Sequence, residues 1–312
     1  MNQFPMLVKR EFWEHRNIFL VLPLIVAAFI VFIIVSMFIA IDVGGMKANV
    51  SLDMDTDSET YEFNSDAFSM DDAIGVMFSN LPSMSEMERE QGMDQLFLGL
   101  AVPFYLILSL VVFFYLAGSL YEDRKDRSIL FWKSMPVSDF STVGAKMFTA
   151  LIAVPAVYLV CLAAVQLILL LVASLAAIGH DVAIWDHLLV PSDMIGRWFR
   201  MICFLVVSAI WSLPFYGWVI LVSAFATSVP LAWIVGIPIA ISILEGVFTK
   251  NNYLVTWWFD HAKPVNVFED GHLFDATEMF HRLITVDALT GVVVGTVFIG
   301  GAIWFRGRGD EI

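Results

Sequence analysis

An all-α polytopic membrane protein with six transmembrane helices is the fold class this sequence predicts, and three observations carry the prediction. Hydrophobic residues make up 59% of the 312 and charged residues only 15%, against roughly a quarter charged in an ordinary soluble domain. Six apolar segments each approach or exceed the roughly 20 residues needed to cross a ~30 Å hydrocarbon layer. Lysine and arginine also gather on alternate connections instead of spreading evenly, and such a bias marks the cytoplasmic loops of a membrane protein.

Residues 1–17, MNQFPMLVKREFWEHRN, place Phe4, Leu7, Val8, Phe12 and Trp13 near one helical stripe, with Lys9, Arg10, Glu14 and Arg16 largely off it. The pattern predicts an N-terminal interfacial amphipathic helix lying on the inner membrane surface, or else the charged flank of the first span. That span, 18–41, has the length of a membrane helix and no small-residue cleavage pattern, so it is expected to be retained. The loop 42–95 holds thirteen acidic residues against Lys47 and Arg89; it supplies most of the formal charge of −14 and is expected outside, solvated. Its run DMDTDSETYE begins like a calcium loop, but Ser58 stands where the turn glycine belongs and Asn64 where a bidentate Glu is needed. No metal site is assigned.

The second span is 96–120. The third, 147–178, is about 32 residues long and is expected to tilt or protrude. After the outer loop 179–197, where Ser192 or Asp193 is placed to cap, come spans at 198–222 and 230–248, the latter opened by Pro230. A second outer stretch, 249–284, sets Trp257, Trp258 and Phe259 beside Asp260, His261, His272, Asp275 and His281, a mixture suited to the membrane interface. The sixth span is 285–305, where Gly291 and Gly295 permit close helix approach, and the tail is 306–312. Pro23, Pro103, Pro155, Pro214 and Pro238 fall within spans, so the helices are expected to pack where neighbours cover the freed carbonyls. Cys161 and Cys203 lie in apolar runs and read as small core residues.

Ten of the seventeen basic residues, Lys9, Arg10, Arg16, Arg124, Lys125, Arg127, Lys133, Lys146, Arg306 and Arg308, fall on the two termini and the 121–146 loop. Both termini are therefore expected in the cytoplasm. The acidic balance argues against nucleic acid as a partner. The chain has no G-x-x-x-x-G-K-[ST] loop, no G-x-S-x-G elbow and no H-E-x-x-H pair, so ATP hydrolysis by the phosphate-loop route, and a catalytic role generally, are not expected of it. Within the spans two polar side chains stand out as candidates for a translocation path. Glu245 lies about one turn from the outer end of the fifth span; it lines an outer gate, meets a cationic group, reaches the headgroups or caps a re-entrant turn. Gln166 makes an interhelical hydrogen bond or touches cargo. So few ionisable groups speak against a proton or ion relay and for a hydrophobic or amphiphilic cargo.

The 121–146 loop contains YEDRKDRSILFWKSMPVSD, in which charges from Glu122 to Arg127 precede the apolar block Ile129, Leu130, Phe131 and Trp132. A compact apolar anchor of that kind is what protein interfaces concentrate. Pro136 stops the helix, Ser138 is placed to cap the next one, and Lys146 lies on that helix's cytoplasmic end. Here the chain resembles ABC-2-type permeases, the membrane subunits of bacterial ABC exporters. Between their second and third spans these carry a pattern like E-R-E-x-G-T, a Leu-rich block, P-V-S and a later Lys. Asp123, Arg124, Ser128, Pro136, Val137, Ser138 and Lys146 fall in that register, whereas Lys125, Arg127, Phe131 and Trp132 depart from it.

The resemblance implies that Glu122 to Pro136 is a coupling helix seated in a groove of a separate ATP-binding subunit. Glu122, Asp123, Arg124, Ser128, Phe131, Trp132, Pro136, Ser138 and Lys146 would then couple the two. It further implies Mg-ATP on that subunit and no cofactor in this chain, and a second permease copy, identical or related. The N-terminal helix would be the interfacial connecting helix, short re-entrant helices would lie in 249–284, and the complex would sit in the lipid bilayer of the bacterial cytoplasmic (inner) membrane. Two rival classes are a secondary transporter or channel and a membrane scaffold, neither needing an ATPase; a carrier should show midplane charges or broken helices in related halves.

Overall fold

A computed structural model describes residues 3–43, 80–126, 137–178, 182–263 and 276–308. Regular structure in the described residues is helical, with no strand, and six helices are long and apolar enough to cross a membrane. In chain order the helices are α1 (Gln3–Glu14), α2 (Leu22–Val43), α3 (Glu86–Lys125), α4 (Asp139–Phe148), α5 (Val154–Ala177), α6 (Met194–Trp211), α7 (Leu213–Phe225), α8 (Pro230–Thr249), α9 (Tyr253–Ala262), α10 (Ala276–Leu283) and α11 (Val286–Arg308).

Proline accounts for the irregularities. Three π-turns, Asn17–Val21, Thr149–Ala153 and Trp185–Leu189, each end two residues before a proline: Pro23, Pro155 and Pro191. In each case the residue just ahead of the proline donates five residues back, as Val154 N–H does to the Thr149 carbonyl. A proline ring collides with the carbonyl four residues earlier and offers it no donor; widening the preceding turn by one residue lets the helix continue. Thus α4, its π-turn and α5 form one 39-residue segment, Asp139–Ala177, longer than the expected third span and reaching back to Asp139.

The fourth apolar segment departs from expectation. Instead of one span over 198–222, α6 ends at Trp211 and α7 begins at Leu213, with Ser212 (φ −81°, ψ 5°) between them. Pro214 has no amide to give the Ile210 carbonyl, which weakens the ladder at this point. α3 is longer than the span 96–120 at both ends. Its start is fixed by a capping box, in which the Ser85 amide donates to Glu88 Oε2 (2.7 Å) and the Glu88 amide to Ser85 Oγ (3.3 Å), satisfying two otherwise unpaired donors. The last ten residues of the expected 42–95 loop are therefore helix, and Glu122–Lys125 are the final turn of α3; of the expected coupling helix, residues 127–136 lie outside the described residues. In 249–284 the described residues contain α9 and α10; His272 and Asp275 lie outside them.

The helices divide into two compact units: Met1–Pro23 with Val102–Val160 and Ile195–Ile312, and Leu24–Ala101 with Cys161–Met194. In the first, α7 packs on α11 through glycines. A Cβ on Gly217 would stand 2.9 Å from the Gly295 carbonyl oxygen, and one on Gly295 2.8 Å from the Leu213 carbonyl carbon, so the two backbones touch with no room for a methyl group. Ring pairs Trp218–Phe298 and Phe225–Phe305 continue the seam. The second unit contains a small core of Leu81, Ala177, Val182 and Leu188, with Met93 packed against it.

Candidate functional site

A collar of buried charge holds the two stems of the 127–136 segment, all of it within the first unit. It starts on α1, whose buried face is Leu7 and Glu11, while Phe4, Met6 and Trp13 are exposed. Phe4 nevertheless meets the Phe148 ring edge-on at 5.7 Å, so α1 lies against the exit stem helix α4. Glu11 is 2% exposed. Its Oε2 accepts from Lys146 Nζ (3.1 Å) and from the Tyr115 hydroxyl (2.8 Å), and its Oε1 pairs with Arg10. Lys146, equally buried, also faces Asp123 Oδ2 at 3.4 Å. One ammonium thus ties α1, the end of α3 and α4 together.

Aromatic rings shut water out beside this cluster. Phe19, fully buried, meets Tyr115 at 5.0 Å, and His15 meets Tyr115 at 5.1 Å, both edge-on. Burial pushes the Glu11 carboxyl up, but the Lys146 and Arg10 cations and the Tyr115 hydrogen bond outweigh it and hold the carboxyl below its ordinary value. The carboxylate is thereby kept charged opposite Lys146.

Arg124 braces the entry stem differently. Its Nη2 donates to the carbonyls of Ser223 (2.9 Å) and Ala226 (2.8 Å) at the end of α7, where a helix leaves carbonyls without partners and favours a cation. Ser223 Oγ in turn accepts the Leu120 and Tyr121 amides at 3.0 and 3.1 Å. At the exit stem Ser138 caps α4, accepting from the Ser141 amide at 3.1 Å, and Asp139 pairs with the buried Arg306 at the end of α11. The α7–α11 glycine seam closes the ring.

Several residues expected to couple to a partner thus have partners inside the chain. Asp123, Arg124 and Lys146 face inward in the collar, and Ser138 is a helix cap; Glu122 is exposed on the last turn of α3. Ser128, Phe131, Trp132 and Pro136 lie outside the described residues. Glu245 caps a turn: both its oxygens accept the Leu254 amide at 3.1 Å, at the start of α9. Gln166 is fully buried on α5. Among the described residues no group of three or more His, Cys, Asp or Glu is placed to hold a metal ion.

Sequence reasoning missed Glu11, Tyr115, Ser223 and the Asp139–Arg306 pair. Glu11 had a signal: it falls at the helical spacing of Phe4, Leu7 and Val8, so it was a carboxylate on an apolar stripe. The other three had none, because their partners lie about 100 to 170 residues away. Physically the collar is a joint: contacts of buried charge fasten α3, α4, α7, α11 and the N-terminal helix to one another on either side of residues 127–136. The chain has no significant match among protein-family models, curated proteins or solved structures.

Proposed function

We propose that the chain is the permease subunit of an ATP-driven ABC-2-type exporter, working beside a second permease copy and driven by a separate ATP-binding subunit that binds the 127–136 segment. The observation that supports this reading is the collar. A segment that only linked two spans would need no anchorage, whereas one that must pass a push from a partner into the membrane helices needs stems that do not yield. Lys146, Asp123, Arg124 and Asp139 supply such stems, and Glu11 adds the N-terminal helix to the same joint. The motif register and the basic loops support it independently, since the latter carry the lysine and arginine bias expected of cytoplasmic loops.

The Ser212 break is the observation on the side of a secondary carrier, since carriers bind cargo at interrupted helices. Co-expression with the Walker-type ATPase expected in the neighbouring reading frame separates the two. The tagged chain should retain that ATPase through purification and lose it in the Phe131→Ala/Trp132→Ala variant. Undiminished retention by the variant would remove the proposed interface.

A further inference from the structure

The first unit contains a cavity of about 40 Å³ at the point where two of its helices are interrupted. Its walls come from the middle of α3, the π-turn between α4 and α5, and the α6–α7 break. Five hydroxyl-bearing residues line it, Tyr105, Ser109, Ser208, Ser212 and Tyr216, and no charged one does. Ser109 Oγ gives its proton to the Tyr105 carbonyl at 2.9 Å. Ser208, 7% exposed, has a buried Oγ with no hydrogen-bond partner among the described residues.

A buried hydroxyl without a partner is costly unless something fills the need. The volume admits on the order of three water-sized groups, too little for a whole ligand and enough for the end of one. Leu108, Val112 and Leu205 supply an apolar wall beside the hydroxyls, and the cavity is not fully enclosed. A charged group placed here would find no counter-charge and would lose its hydration without compensation.

We propose that this cavity seats the uncharged hydroxyl or carbonyl end of an amphiphile, with Ser208 Oγ as a hydrogen-bonding partner and the first methylenes of the chain against Leu108, Val112 and Leu205. As a cargo seat the site rests on the permease reading; as a binding site it stands without it.

The experiment uses the full-length chain in phosphatidylcholine nanodiscs, photolabelled with a monoacylglycerol carrying a diazirine near its head and, in parallel, with a sulfonate-headed probe of the same chain. Mass spectrometry locates the adducts. The neutral probe should label the 105–112, 150–155 and 205–216 stretches at least tenfold over the sulfonate. Ser208→Ala should reduce that labelling about fivefold, and Ala209→Leu, which fills the space, should abolish it. Elution volume and melting temperature report whether Ala209→Leu folds; should it not, Ser208→Ala, which removes one oxygen, decides. Equal labelling by the two heads, adducts elsewhere, or labelling indifferent to Ser208→Ala would overturn the site and leave a cavity for water alone. Because no ATPase is present, loss of labelling counts against the site and not against the permease reading, and failure to retain an ATPase does the reverse.

Discussion

Removing the Glu11 carboxylate should loosen the joint between α1, α3 and α4 more than any other single change in the collar. Two costs add. Lys146, 2% exposed, keeps only Asp123 at 3.4 Å as a counter-charge among the described residues, and breaking one side of a buried pair costs about 3–5 kcal/mol. The Tyr115 hydroxyl, which donates a hydrogen bond to Glu11 at 2.8 Å, is left buried without an acceptor, at about 1–3 kcal/mol. Since Asp123 absorbs part of the first cost, Glu11→Ala is expected to lower stability by about 4 kcal/mol in total. Glu11→Gln, which keeps an acceptor for Tyr115, should cost about 2 kcal/mol. The assay is a double-mutant cycle with Lys146→Met, followed by unfolding in mixed micelles. The pair should show a coupling of about 2 kcal/mol, because the second substitution removes the charge that the first stranded. Additive losses, with coupling under about 0.5 kcal/mol, would mean that Lys146 does not depend on the Glu11 carboxylate. The same cluster fixes a pH dependence. The folded-state pKa of Glu11 lies below its ordinary 4.5, so its contribution is complete above the unfolded value and is lost as pH falls through the folded one. Stability should thus be insensitive to Glu11 between pH 6 and 8 and fall below about 4.5, with Glu11→Gln flattening that acid limb.

Other expectations test separate parts of the structure. Gly295→Ala places a Cβ 2.8 Å from the Leu213 carbonyl carbon and should cost about 1–3 kcal/mol through overpacking. Gly236→Ala meets nothing within 4 Å and should gain up to about 1 kcal/mol from helix propensity; equal effects of the two would deny the α7–α11 seam. Arg124→Ala frees the Ser223 and Ala226 carbonyls and should speed hydrogen exchange at the end of α7 while leaving α9 unchanged. Glu245→Ala should cost about 0.5–2 kcal/mol as a lost cap and leave transport intact, whereas a gate residue would change transport.

The spans were legible because burial in lipid demands about 20 apolar residues in succession, and length alone finds such runs. Their ends were less so. Ser85-Glu86-Met87-Glu88 is a capping-box signature, yet the apolar run begins ten residues later, and hydropathy moved the predicted start of α3 to residue 96. The Ser212 break is a matter of backbone hydrogen bonding, invisible to hydropathy since both sides are equally oily; Pro214 was the only mark of it. In the site, Asp123, Arg124 and Lys146 were picked out because they fall in the register of the permease pattern. Their burial was not foreseeable, because each depends on partners brought in by other helices: Glu11 from the N-terminal end, Ser223 and Ala226 from the end of α7.

The proposed drive of the 127–136 segment by an ATP-binding subunit requires that subunit to travel with the chain. The most direct measurement purifies the tagged chain from its native membrane in mild detergent, quantifies every chain that elutes with it, and assays ATP hydrolysis. A nucleotide-binding chain in equal amount is expected, with a vanadate-sensitive ATPase activity that disappears with Phe131→Ala/Trp132→Ala. A chain that elutes alone, hydrolyses no ATP and moves cargo across liposomes by itself would contradict it.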